Sequence, residues 1–203
     1  MKWTPILFLA AVLAHAGEPS IFYSKSFPNS VPAYTQIVLQ ANGEGEYKEA
    51  PDDELPLKFK LAEADVRAVF ELADKLDHFK RPLETQLKVA FMGTKTFRWE
   101  NGAQKGEVKF NFSEDLSAQA ILDWFERIAE SAQLRTELER AAKYDRLGVD
   151  KALRQLLIAM DRKRLVAQEQ YLPMLDRIAN NESYMHTARM KASEIAEAIR
   201  KTQ

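Results

Sequence analysis

The chain has 203 residues, 46% of them hydrophobic, with 29 Lys and Arg against 30 Asp and Glu and no cysteine. That balance excludes a disordered chain and gives no electrostatic reason to expect nucleic acid as a partner. A chain of this length buries roughly 70% of the surface its unfolded form exposes, so its core needs no disulfide or metal, and the lack of thiols removes disulfide frameworks, thiolate metal sites and cysteine nucleophiles from consideration.

The first element in chain order is an export signal. Lys2 precedes the apolar run from Ile6 to Leu13, and Ala14-His15-Ala16 follows with the small-x-small spacing that signal peptidase reads. Residues 1–16 are therefore expected to be a signal peptide cleaved after Ala16, and the apolar run is far short of the ~20 residues that span a bilayer. Without a cysteine at the cleavage point there is no lipid anchor, so the mature chain is expected to be soluble in the periplasm or the medium. It carries 28 basic and 30 acidic residues, a formal charge of −2.

Residues 17–32 are rich in Ser and Pro and read as an extended arm, with a short strand at 21–24. Residues 34–40 alternate and are β-branched, Asn42-Gly43 supplies turn chemistry, and 45–49 can return, which predicts a hairpin. A short alternating piece, 57–61, comes next. The period then changes: Val66, Val69, Phe70, Ala73 and Leu76 form one stripe of a helix over 63–78, which Pro82 closes.

Gly93-Thr94-Lys95-Thr96 invites a phosphate-loop reading. A Walker loop needs glycine directly before the Lys-Thr pair and another five positions earlier, whereas here Thr94 and Val89 occupy those places. The segment instead shows period two, with Phe97 and Trp99 on one face, a turn at Asn101-Gly102, and Val108, Phe110 and Phe112 alternating on return. With 87–92 ahead of it, this predicts a three-stranded meander in which Gly93 marks a bulge or tight turn.

The rest is helical. Ser113 or Asp115 can cap a helix striped on Ile121, Trp124, Phe125 and Ile128, followed by a second stripe on Leu134, Leu138 and Ala141 turned by about 120°. The first stripe should cover the sheet and the second should face the tail. Gly148 suits a helix C′ position. Further stripes follow on Val149, Leu153, Leu156, Leu157 and Met160, on Leu172, Leu175 and Ile178, and on Tyr184, Ala188, Ala192, Ile195 and Ile199, the last capped by Asn181 or Ser183. The expected fold class is α+β: an antiparallel sheet made of a hairpin and a three-stranded meander, packed by helices over 33–130, then an all-helical C-terminal subdomain over 131–203.

The stretches YSKSFP, EAPDDELPLKFKL, VAFMGTKTFRWENG and YDRLGVDKAL together resemble a family of secreted, uncharacterised proteins of Acidobacteria-type soil bacteria. The resemblance runs over nearly the whole mature chain. It implies export, and it carries no activity, cofactor or site residue with it.

Site chemistry is sparse. His78 and His186, the two histidines of the mature chain, lie in no HxxxH or HxxE spacing, and no GxSxG elbow or SxxK pair marks a nucleophile, so no catalytic, cofactor or metal residue is assigned. Six acids within residues 44–54 could hold Ca²⁺ but lack the EF-hand order, and they read as a solvated loop. Between Arg135 and Arg164 nine basic residues face five acids, ending in Arg162, Lys163 and Arg164, which could meet an anionic lipid or polymer or simply complement a helix C-terminus. The leading expectation is an exported, non-catalytic protein-interaction module of the cell envelope whose partner is another exported protein. The alternatives are a protein held weakly at an anionic envelope surface by Arg162, Lys163 and Arg164, and an enzyme with a site that spacing does not reveal.

Overall fold

The computed structural model describes residues 18–201. The expected signal peptide lies outside them. Six strands, β1 (Ser20–Ser26), β2 (Tyr34–Gln40), β3 (Glu44–Lys48), β4 (Leu57–Lys60), β5 (Thr94–Asn101) and β6 (Gln104–Phe110), form one antiparallel sheet in the order β4-β3-β2-β1-β5-β6. The helices are α1 (Glu63–Lys75), α2 (Leu116–Tyr144), α3 (Val149–Asp161), α4 (Leu172–Ala179) and α5 (His186–Lys201). The fold is α+β, with a helical C-terminal part, as the change of period implies. Among the described residues, no helix is long and apolar enough to cross a membrane.

Two differences from the sequence reading concern the sheet. The short strand expected at 21–24 within the arm is longer and central, β1 pairing on both edges, because Ile21 and Tyr23 alternate into the core despite the Pro- and Ser-rich flanks. Residues 87–92 join no ladder, and the third strand beside β5 and β6 is β1 instead. The register aligns inward side chains in rows across all six strands, Leu57-Tyr47-Ile37-Tyr23-Phe97-Val108 and Phe59-Gly45-Leu39-Ile21-Trp99-Gly106.

Helices α1 and α2 cover that face. The Asp115 carboxylate caps α2 by accepting from Ser117 N–H at 2.8 Å and Ala118 N–H at 3.0 Å, and it is paired with Arg81 at 2.6 Å. The Arg81 guanidinium, followed by those two amides, holds the Asp115 carboxyl below the usual carboxylate range. Both stripes of α2 are used as expected. Ala118, Ile121, Phe125, Ile128 and Ala132 belong to the sheet core, while Leu138 and Ala141 belong to a second core built with α3, α4 and α5. At the crossover Ser131 accepts from Val166 N–H through its hydroxyl, at 3.0 Å, and from the Tyr171 hydroxyl through its carbonyl, at 2.5 Å.

Three helix boundaries also differ. Gly148 is the N-cap of α3 rather than the stop of α2, which ends at Tyr144. The last helix starts at His186, beyond Asn181 and Ser183, whose hydrogen bonds instead close the turn before it. Helix α1 stops at Lys75, and Asp77, His78 and Phe79 form a turn with φ of 51°, 51° and 63°. Left-handed geometry costs non-glycine residues roughly 1–2 kcal/mol each. Packing holds the turn: Phe79 is wholly buried and stacked on Phe97 at 5.0 Å, and the His78 ring lies 4.0 Å from Trp99. Gly106 makes room for it, since a Cβ there would sit 1.9 Å from the His78 carbonyl oxygen.

Candidate functional site

The row at one end of the sheet departs from the apolar rows beside it. It reads Thr35-Lys25-Lys95-Phe110, so two lysines and a threonine occupy the inward phase that Tyr23 and Phe97 occupy one step earlier. Helix α2 answers them with Glu126, which follows the buried Phe125 and accepts from Lys25 Nζ at 3.1 Å. This pair stands between two clefts. One, of about 340 Å³, is lined by Tyr23, Lys25, Phe27, Val31, Pro32, Thr35, Glu126, Glu130, Gln133 and Arg164. The other, of about 200 Å³, is lined by Lys25, Met92, Lys95, Phe110, Asn111, Gln119, Leu122 and Glu126, among others.

Each cleft has a distinct chemical character. In the smaller one Lys95 is spent on structure: its ammonium donates to the Asn111 carbonyl at 2.6 Å and the Met92 carbonyl at 3.1 Å. Burial, and then the Lys25 charge, lower its pKa. The residue that would have been the phosphate-loop lysine therefore ties β5 to the segments beside it. Gly93, at φ 90°, allows the chain to pass within contact of Phe27, whose Cβ would lie 2.8 Å from an added Cβ.

In the larger cleft the charges are matched in pairs. Besides Lys25 with Glu126, Arg164 donates to Glu130 at 2.8 Å and also pairs with Asp123. Tyr23 is among the residues lining the cleft, with 1% of the residue exposed, and its hydroxyl is buried with no hydrogen-bond partner among the described residues. Burial, followed by the Glu126 charge, pushes the Tyr23 hydroxyl well above its ordinary pKa, so it stays protonated.

Exposed apolar side chains occur at and near the clefts: Val31 lines the larger one and Met92 the smaller. Val31 is fully exposed, and Leu87, Phe91 and Met92 are exposed on residues 84–92, with Phe91 meeting Phe27 edge-on at 5.9 Å. The backbone carrying them is fixed. Asn111 accepts from Met92 N–H at 2.6 Å and donates to the Ala90 carbonyl at 3.0 Å, Glu84 accepts from Asn111 N–H at 2.5 Å, and Thr85 N–H donates to the Phe112 carbonyl at 2.9 Å.

The basic residues singled out by composition are distributed differently. Arg164 is drawn onto α2 by Asp123 and Glu130, whereas Arg162 and Lys163 are exposed at the end of α3. Among the others, Arg135 donates to Glu139, Gln170 and the Lys58 carbonyl, and Arg154 pairs with Asp150. Among the described residues, no group of three or more His, Asp or Glu is placed to hold a metal ion.

Sequence spacing passed over Tyr23, Lys25 and Glu126. The available signal was phase: Ile21, Tyr23 and Lys25 alternate on one face, and a lysine continuing an inward row marks the point where a core opens to a polar site. No protein-family model matches the chain, and neither curated proteins nor solved structures yield a match to it.

Proposed function

We propose that the chain is an exported, non-catalytic protein-interaction module whose partner, another exported protein, docks at the Val31, Leu87, Phe91 and Met92 end of the sheet. The observation that carries this reading is the set of exposed apolar side chains held outward on a hydrogen-bonded backbone. Isolated apolar side chains on a surface are ordinary, but Val31 and Met92 line neighbouring clefts that share Lys25 and Glu126, and Phe91 packs on Phe27 of the larger cleft, an arrangement that suits a contact surface. A fixed backbone also loses little entropy on docking. Export rests on the sequence of residues 1–16.

Site-specific photocrosslinking in the native host tests it. A crosslinker at position 91 should give one discrete adduct that Leu87→Ser abolishes, and one at Lys109, on the outer sheet face, should give none. Equal adducts from both positions, or none from 91, would overturn the proposal.

A further inference from the structure

We infer that the turn between α2 and α3 docks on an anionic phospholipid bilayer, with Tyr144 and Leu147 entering the interface and Arg140, Lys143, Arg146 and Lys151 meeting the headgroups. This contact is separate from the docking reading above and does not depend on it. Tyr144 closes α2 and Leu147 lies in the turn, and they are 74% and 73% exposed. The turn is fixed: the Gly148 N–H donates to the Asp145 carbonyl at 2.9 Å and to the Asp145 carboxylate at 3.0 Å, so the backbone presenting both side chains is already ordered before docking.

The charges select an anionic partner. Arg140, Lys143, Arg146 and Lys151 are all exposed, and among the described residues none of them has an acidic partner, whereas Arg135, Arg154 and Arg164 each do. The acids beside them are engaged: Glu139 pairs with Arg135, Asp150 is buried against Lys191 and Arg154, and Asp145 closes the turn. Lys143 and Arg177 of α4, which also lacks an acidic partner among the described residues, line one cleft of about 610 Å³, so the basic surface extends beyond the turn. Helix stability accounts for only part of this set. Cations complement the dipole toward the end of α2, where Arg140 and Lys143 lie, but Arg146 and Lys151 stand just ahead of and within the first turn of α3, where the dipole disfavours positive charge. Shape then separates a bilayer from an acidic protein. The short turn over 145–148 offers far less than the roughly 800 Å² per partner of a stable protein interface. Lipid instead yields around an exposed aromatic and an exposed aliphatic side chain flanked by bases, which is the composition of an interfacial anchor.

The test is flotation of the chain from Gly17, which keeps every described residue and lacks the apolar run at 6–13, with vesicles of phosphatidylcholine alone or mixed with phosphatidylglycerol. Binding should appear only on the mixed vesicles and fall steeply as salt rises. A cation near the surface is worth about fivefold, so Lys143→Ala with Arg146→Ala should weaken binding roughly 25-fold. Leu147→Ser should weaken it about tenfold at unchanged charge and unchanged thermal midpoint. In Tyr144→Trp, brominated acyl chains should quench the added emission, and Arg162→Ala with Lys163→Ala, at the other end of α3, should matter less than the Lys143 and Arg146 pair. No flotation on the mixed vesicles, equal flotation on phosphatidylcholine alone, no quenching, or a larger loss from the Arg162 and Lys163 pair would overturn the inference. Binding to polyglutamate as tight as to the mixed vesicles, and indifferent to Leu147→Ser, would overturn it in favour of an acidic protein partner.

Discussion

The two cores that share α2 are built from different side chains. Beneath the sheet, Tyr23, Phe79, Phe97, Phe110 and Phe125 form a connected set of ring contacts with centroids 5.0–6.1 Å apart. Between the C-terminal helices the core is mainly aliphatic, Tyr171 and Tyr184 being its buried rings among the described residues, and α5 presents Ala188, Ala192 and Ala196 at intervals of four, all buried. The difference follows from what each layer must span. Rings fill the deep gap between a sheet and a long helix, whereas a ridge of alanines lets helices approach closely. The sheet core should therefore be sensitive to deletion, and the helical core to insertion.

Phe97→Ala tests the first half of that contrast and carries the largest expected effect. Phe97 is wholly buried and touches four of those rings, so truncation should cost about 3–5 kcal/mol, read as a lower denaturation midpoint. Ala192→Leu tests the second half. Overpacking there should cost about 1–3 kcal/mol, and a neutral result would show that the helices pack loosely enough to break the comparison.

Electrostatics sharpens the contrast on a smaller scale. Asp150 of α3 is buried between Lys191 at 2.5 Å and Arg154 at 2.6 Å, and the Lys191 ammonium leads in holding its carboxyl below the ordinary value. A depressed carboxyl contributes stability that is present above its unfolded pKa, about 3.9, and is lost as pH falls through the lower folded value. Asp150→Asn should accordingly cost about 1 kcal/mol at neutral pH, the pair being partly solvated, and nothing in strong acid. A penalty independent of pH would mean packing rather than charge. The smallest effect belongs to Lys109→Ala on the outer sheet face, which should change stability by less than ~0.5 kcal/mol.

The fold was legible where one period ran long enough to fix a face. The 120° turn between the stripes of α2 foretold its division between two cores, and the cap was narrowed to Ser113 or Asp115, of which Asp115 serves. Strand β1 was less visible, because its identity depends on pairing with β5 across the whole of α1 rather than on its own composition. Residues 87–92 have the composition of a strand yet are held by Asn111 and Glu84, a tertiary arrangement that local propensity does not encode. The candidate cleft stayed hidden for a related reason: Tyr23, Lys25, Glu126 and Arg164 come from three distant segments, and only the packing of α2 on the sheet and of the segment after α3 on α2 brings them together.

The central place of β1 also sets an order of assembly. During synthesis β1 can pair at once with β2, and β3 and β4 can follow as a local meander, but its other edge stays open until residues 94–101 arrive. Closing that long loop is slow relative to forming a hairpin, and the inward rings remain uncovered until α2 is complete. The nascent intermediate is thus a four-stranded sheet whose β1 edge, paired with β5 in the finished fold, is still open and whose inward Tyr23 and Tyr47 still lack the cover of α2, the kind of species that recruits chaperones or aggregates.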